Sequence, residues 1–287
     1  MTLASSLLSA APPWPRRVVC LTEETVETLY LLGAGDRVVG VSGFVVRPPE
    51  ARKKPRVSSF IDANFERILE LKPDLVLGFS DLQSDIGGEL CKRGVPVHLF
   101  NQRSVAEILQ SVRLTGALVG LAEEADRLAT RLGEGLARYA ERAGSLSRRP
   151  RMFFEEWNEP LISGIRWCSE LMELVGGDDV CAESRASQGA RGRIFAPEEV
   201  ARRNPEGVVA SWCGRKAKSE KIRARPGWGE VRAVIDDQLY EIKSSVILQP
   251  GPAALTEGVE QLARIVEAVA RGEPLPRPRP GDLRVAA

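Results

Sequence analysis

Apolar residues along this chain fall into short unbroken runs, and amphipathic stretches separate them. "RRVVCLT" (16–22), "DRVVGVS" (36–42), "DLVLGFS" (74–80) and "VPVHLF" (95–100) are runs of the length and β-branched content of buried strands. Between them, "EETVETLYLLGAG", "NFERILELKP" and "DIGGELCKRG" carry helical spacing and end at glycine or proline. Strands alternating with helices predict a parallel sheet flanked by helices. Ser104 and Glu107 form an S-x-x-E capping box that opens the helix "VAEILQSVRLTGALVG". Residues 122–143 follow as one long helix with an apolar stripe at Ala125, Leu128, Leu132, Leu136 and Tyr139. At 1.5 Å per residue this helix is roughly 33 Å long.

The α/β pattern then restarts. "MFFEEW", "EGVVASW" and "QLYEIKS" read as strands, and "CSELMELVG", "PEEVARRNP" and "ALTEGVEQLARIVEAVARG" read as helices. One helix–strand unit occurs in both halves. Placing Pro73 on Pro205 aligns Glu66 with Glu198, Ile68 with Val200 and Val76 with Val208. The predicted fold is α/β: two Rossmann-like lobes with parallel sheets, joined by a long rigid helix, with a ligand cleft between the lobes. The divisions are an N-terminal lobe over 16–120, a linking helix over 121–145 and a C-terminal lobe over 150–272, with flexible tails at 1–15 and 273–287.

Composition narrows the function. The 287 residues carry 40 basic and 39 acidic side chains, a net charge of +1, which gives no electrostatic case for nucleic acid. No apolar run reaches the ~20 residues of a membrane span. Five scattered cysteines and a single histidine, His98, indicate neither a disulfide framework nor a metal site. The sequence has no phosphate loop, dinucleotide fingerprint or nucleophile elbow. The start, "MTLASSLLSAAPPWPRR", has no Lys or Arg ahead of its short apolar run, so the expectation is a cytoplasmic protein, with the periplasm as runner-up.

The strand tips hold the candidate chemistry. In the first lobe these are Glu23, Glu24, Phe44, Phe79, Asp81, Asn101 and Gln102. In the second they are Glu156, Trp157, Trp167, Trp212, Arg215 and Gln249. Aromatic faces mixed with amides and charges suit a large flat ligand with a polar rim. Of the two indoles around the turn at Pro160–Gly164, Trp167 is expected to face the ligand rather than Trp157, while Trp228 packs in the core. Glu155 and Glu156 could be read as an acid–base pair, but neighbours on a strand point to opposite faces.

The runs "RVVCLTEETVETLYLLGAGDRVVGVS", "RVSSFIDANFERILELKPDLVLG", "WNEPLISGIRWCSELMELVGGDDV" and "APEEVARRNPEGVVAS" resemble the cobalamin- and siderophore-type periplasmic binding proteins, the class with a helical backbone, and most of all its cobalamin-binding branch. The likeness covers about residues 16–270. It implies a non-catalytic, monomeric solute-binding protein that holds a corrinoid between its lobes for an ABC transporter permease. The resemblance also implies that Glu66 and Glu198, one acidic residue per lobe, dock on that permease. The chain departs from the family's pattern at Ala253 and Ala254, which follow a retained Pro-Gly-Pro turn where an arginine is common. The corrinoid-enzyme motif D-x-H-x-x-G is absent. The tetrapyrrole or metal chelate is thus read as ligand and not cofactor. The alternatives are a ferric siderophore or heme as ligand and, in another class, an enzyme acting on a corrinoid-like substrate.

Overall fold

A computed structural model describes residues 14–279 and 282–286. Contacts divide the chain into two units. The first is Met1–Gln102 with Ile108–Arg131; the second is Arg103–Glu107 with Leu132–Ala287.

In the first unit the strands are β1 (Val18–Cys20), β2 (Val38–Ser42), β3 (Arg56–Ser58), β4 (Leu75–Phe79) and β5 (Val97–Phe100). They form one parallel sheet in the order β3-β2-β1-β4-β5. Helices cover both faces of such a sheet, which is why β1 and β4 are apolar along their length and fully buried. Helix α1 (Glu23–Leu31) leaves β1 with two acidic residues in its first turn, where the helix dipole favours negative charge. It closes at Gly33, whose φ of +74° suits a residue without Cβ. Helix α2 (Phe65–Glu70) is capped by Asn64, whose side-chain oxygen accepts from the Arg67 N–H. Helix α3 (Ser84–Lys92) then leads to β5. At the start of helix α4 (Val105–Leu118) the capping box forms as read: Glu107 N–H donates to Ser104 Oγ, and Ser104 N–H donates to Glu107 Oε2 at 2.9 Å.

Helix α5 (Ala122–Ala143) buries Ala125, Leu128, Ala129, Leu132 and Leu136 along one stripe. Its residues through Arg131 cluster with the first unit and those from Leu132 with the second.

The second unit has β6 (Arg151–Trp157), β7 (Ile162–Ser163), β8 (Asp178–Asp179), β9 (Gly207–Ala210) and β10 (Leu239–Glu241). The sheet order is β10-β9-β6-β7, with β8 also on β6. All pairings are parallel except β6 with β7. The helices α6 (Arg166–Leu174), α7 (Pro197–Arg203) and α11 (Val259–Arg271) flank it, with the shorter α8 (Ser219–Arg223), α9 (Arg232–Ile235) and α10 (Ser244–Ile247). Trp228 is fully buried in this core, edge-on to Phe153, as the sequence suggested.

The tail expected to be flexible over 273–287 is packed where it is described. Leu283 is buried in the core of the second unit. Arg284 adds a parallel bridge to Tyr240: its N–H donates to Leu239 O, and Glu241 N–H donates to its carbonyl. The Arg284 guanidinium reaches both the carbonyl and the carboxylate of Asp237, which Arg223 and Arg277 also bind. A bare edge on β10 and one apolar anchor outweigh the prolines that suggested disorder. The expected N-terminal tail falls outside the described residues except for Trp14 and Pro15; Trp14 lies against Gly120.

Candidate functional site

In open parallel sheets the loops beyond the C-terminal strand ends form the binding edge, especially where the strand order reverses. In the first unit that reversal lies at β1, between β2 and β4.

Thr22, Glu23 and Glu24 follow β1. Glu24 is buried, and its Oε1 accepts from Thr22 Oγ1 at 2.5 Å. Its Oε2 is buried with no hydrogen-bond partner. Burial pushes the Glu24 carboxyl from its ordinary 4.5 up to about 8, with smaller upward pressure from Glu23 and Glu27. Burial likewise pushes half-buried Glu23 up to about 7. Around neutral pH Glu24 is therefore mainly a neutral acid.

Three large apolar side chains stand in solvent at this edge: Phe44 after β2, Ile61 after β3 and Leu82 after β4, at 52%, 72% and 60% exposure. Only Phe44 was picked out from the sequence. Gln83, fully buried, holds the loops beneath them. Its amide N–H groups donate to Phe60 O at 2.9 Å and Leu21 O at 3.4 Å, and its Oε1 accepts from Phe79 N–H at 2.9 Å. One side chain thus ties the ends of β1 and β4 to the loop after β3. Phe79 does not belong to the edge. It packs inward in the core with Phe100, because it is the last residue of β4 and obeys the strand's alternation. Asp81 and Asn101 are exposed, and Gln102 is buried.

In the second unit the strand order reverses at β6. Trp157 ends that strand half-buried, and its indole N–H donates to Glu159 O at 2.9 Å. Exposed Arg215, beyond β9, lies over the Trp157 ring at 5.4 Å. Gly214 N–H donates to Ser244 Oγ at 3.1 Å, which joins the tips of β9 and β10. Behind the indole, Glu155 and Glu156 point to opposite faces of β6. Glu155 is fully buried, forms a bidentate pair with Arg225 at 2.8 and 2.6 Å, and accepts from Trp212 Nε1 at 2.8 Å. Glu156 pairs with buried Arg193 at 2.5 Å. Burial pushes the Glu156 carboxyl up, and Arg193 draws it back down. Each carboxylate is thus held by its own arginine, and the two do not share a site.

Two tryptophans expected at this edge are structural. Trp167 is 0% exposed and its indole N–H donates to Ile247 O at 2.8 Å, so it cannot present a face to ligand. It lies in the first turn of α6, on the inward face that also carries Cys168, Leu171 and Met172, all buried. That helical stripe is present in the sequence and points inward. Trp212 is also buried, braced on Glu155. Gln249 is half-buried beside the Pro-Gly-Pro turn. Among the described residues, no group of three or more His, Cys, Asp or Glu side chains could hold a metal ion. His98 is half-buried in β5 against Phe100, its rings 4.3 Å apart, and burial lowers its pKa.

Glu66 and Glu198 occupy the first turns of α2 and α7 and are exposed. Glu66 is paired with Arg93 at 2.9 Å.

Residues 18–246 match the periplasmic binding protein family. The chain belongs to that family. Among curated relatives, an ABC transporter substrate-binding lipoprotein of Bacillus subtilis (strain 168), YvrC, is 29% identical over 258 residues, covering 88% of this chain and 80% of the relative. A vitamin B12-binding protein of Pectobacterium carotovorum subsp. carotovorum (strain PC1) is 28% identical over 224 residues, covering 77% and 80%. Among solved structures, the periplasmic vitamin B12 binding protein BtuF of Vibrio cholerae superposes with a TM-score of 0.71 at 23% identity, covering 89% of this chain and 98% of that one. A periplasmic heme-binding protein from Pseudomonas aeruginosa gives 0.77 at 20% identity, covering 93% and 98%. These two show a shared fold.

The family's members are solute-binding proteins of the ABC importer type. Membership overturns the expectation of a cytoplasmic protein: the family is periplasmic, and the Bacillus relative is a lipoprotein. The short apolar run before Trp14 was a poor guide to compartment.

Proposed function

We propose that this protein binds a corrinoid and delivers it to an ABC importer without transforming it. The observation that supports this most is the exposed apolar set Phe44, Ile61 and Leu82 at one sheet edge. Water-exposed apolar groups gathered at a strand-end edge are held there at a cost unless something covers them. A corrin offers a broad face for such groups, and its rim of amides suits the exposed side-chain amide of Asn101 at the same edge. In cyanocobalamin the cobalt also brings both of its axial ligands, benzimidazole and cyanide. Iron in heme would look for a histidine or tyrosine. Here the one histidine lies within β5, and Tyr30, Tyr139 and Tyr240 lie in α1, α5 and β10. The vitamin B12-binding relatives point the same way.

Titration of the purified protein with cyanocobalamin tests the reading. We expect a Kd below ~1 µM, and no heat or absorbance change at ~100 µM would sink it. The exposed guanidinium of Arg215 keeps an anionic ligand, a ferric siderophore or heme, as the competing reading. Displacement of bound cyanocobalamin by hemin or a ferric siderophore panel decides between them. Glu66 and Glu198 are the proposed permease contacts. Glu198→Lys should leave cyanocobalamin affinity unchanged and abolish uptake in cells that depend on this protein; normal uptake would remove Glu198 from that role.

A further inference from the structure

The buried polar groups behind the Trp157–Arg215 face form a connected chain that the ligand reading does not use. Arg225, in the segment between α8 and Trp228, is almost wholly buried, as is its partner Glu155. One guanidinium does three things. It closes a bidentate pair on Glu155, it donates from Nη2 to Asn158 Oδ1 at 2.7 Å, and it lies over the Trp228 ring at 4.5 Å. Glu155 in turn accepts from Trp212 Nε1. Arg225 thereby links the residue two before Trp157, the residue one after it and the tip of β9, while its own position is fixed by Trp228. A lysine at this place could neutralise Glu155, but a single ammonium cannot present the planar fork that meets Glu155 and Asn158 together.

We propose that Arg225 is a positioning residue for the ligand-contacting end of the second unit. Through Glu155 and Asn158 it fixes the end of β6, so that Trp157 and the Arg215 stacked on it are held in one orientation before ligand arrives. The part of this that concerns ligand rests on the function proposed above. The part that concerns order does not. A face held rigid in advance loses less conformational freedom on binding, and the gain appears mainly as slower dissociation.

Asn158→Ala cuts the link without touching the buried ion pair, and Asn158→Asp restores an acceptor for Arg225. Arg225→Lys keeps the charge and removes the fork. Hydrogen exchange of a peptide spanning residues 155–160, without ligand, reads the order directly. We expect exchange to quicken roughly tenfold in Asn158→Ala, the worth of one charge-assisted hydrogen bond. It should quicken at least as much in Arg225→Lys and return toward wild type in Asn158→Asp. The melting temperature should fall in Asn158→Ala only by the few degrees that one such bond is worth. With cyanocobalamin, the dissociation rate should rise by a similar factor in the two loosened variants. Unchanged exchange in both Asn158→Ala and Arg225→Lys overturns the proposal. A wild-type protein that ignores cyanocobalamin while the variants still exchange faster sinks the corrinoid reading and leaves the positioning role supported.

Discussion

The two units hold their strand ends in opposite ways. In the first, the groups beneath the exposed face are neutral at physiological pH: the Gln83 amide and the proton-bearing carboxyl of Glu24. Above them stand aliphatic and phenyl groups. In the second, the supports are buried carboxyl–guanidinium pairs, Glu155 with Arg225 and Glu156 with Arg193, and the face above them is an indole under a guanidinium. A neutral support costs little to bury and gives little directional hold. A buried ion pair costs several kcal/mol of desolvation, recovered only with near-ideal geometry, and therefore fixes orientation strictly. The comparison teaches that one fold can prepare a binding edge by either route, and that the two edges should fail under different insults.

The largest contrast should come from breaking one partner of each support. Glu155→Ala leaves Arg225 buried and unpaired, and we expect a loss of about 3–5 kcal/mol in unfolding free energy. Gln83→Leu should cost about 1–3 kcal/mol, because three backbone groups lose a neutral partner. Chemical denaturation measures both, and equal losses would erase the distinction.

Alkaline pH should sharpen it further. The Glu24 carboxyl holds its proton up to about pH 8 in the fold and only to its ordinary 4.5 when released. Its contribution is therefore complete below about 4.5 and is lost as pH rises through about 8. Glu23 acts in the same direction up to about 7. Wild type should thus lose stability between pH 5 and 9, and Glu24→Gln should be flatter over that range. A Glu24→Gln profile parallel to wild type would remove this carboxyl as the cause. The smallest effect on stability is expected at Trp157, in contrast to its neighbour Trp167. Trp157→Ala should weaken cyanocobalamin binding about tenfold with little change in melting temperature, as for one aromatic platform. Trp167→Ala should instead unfold the second unit, by about 3–5 kcal/mol for a fully buried large side chain.

Much of the architecture was legible because buried parallel strands and glycine- or proline-stopped helices leave patterns within a few residues of sequence. The Ser104–Glu107 capping box and the burial of Trp228 were found in that way. The edges were only half legible. Alternation decides where a side chain points inside a strand and puts Phe79 in the core, whereas Phe44 lies past the strand end, where alternation has lapsed. Trp167 reads as a loop residue if the helix starts at Cys168, but the helix begins at Arg166 and turns the indole inward in register with Leu171. Gln83 could not be found at all, since its partners are main-chain atoms of residues up to 62 positions away. Compartment was missed for a different reason: the packing of a folded lobe does not depend on the side of the membrane where it works.

The bridge between Tyr240 and Arg284 bears on how such a chain reaches its place of work. The second unit closes the edge of its sheet with a residue that also clamps Asp237, 47 positions earlier. That edge stays open until residue 284 has been made and delivered. A polypeptide passing head-first through a narrow channel would keep this sheet edge open until Arg284 itself has emerged, so that threading and folding need not compete.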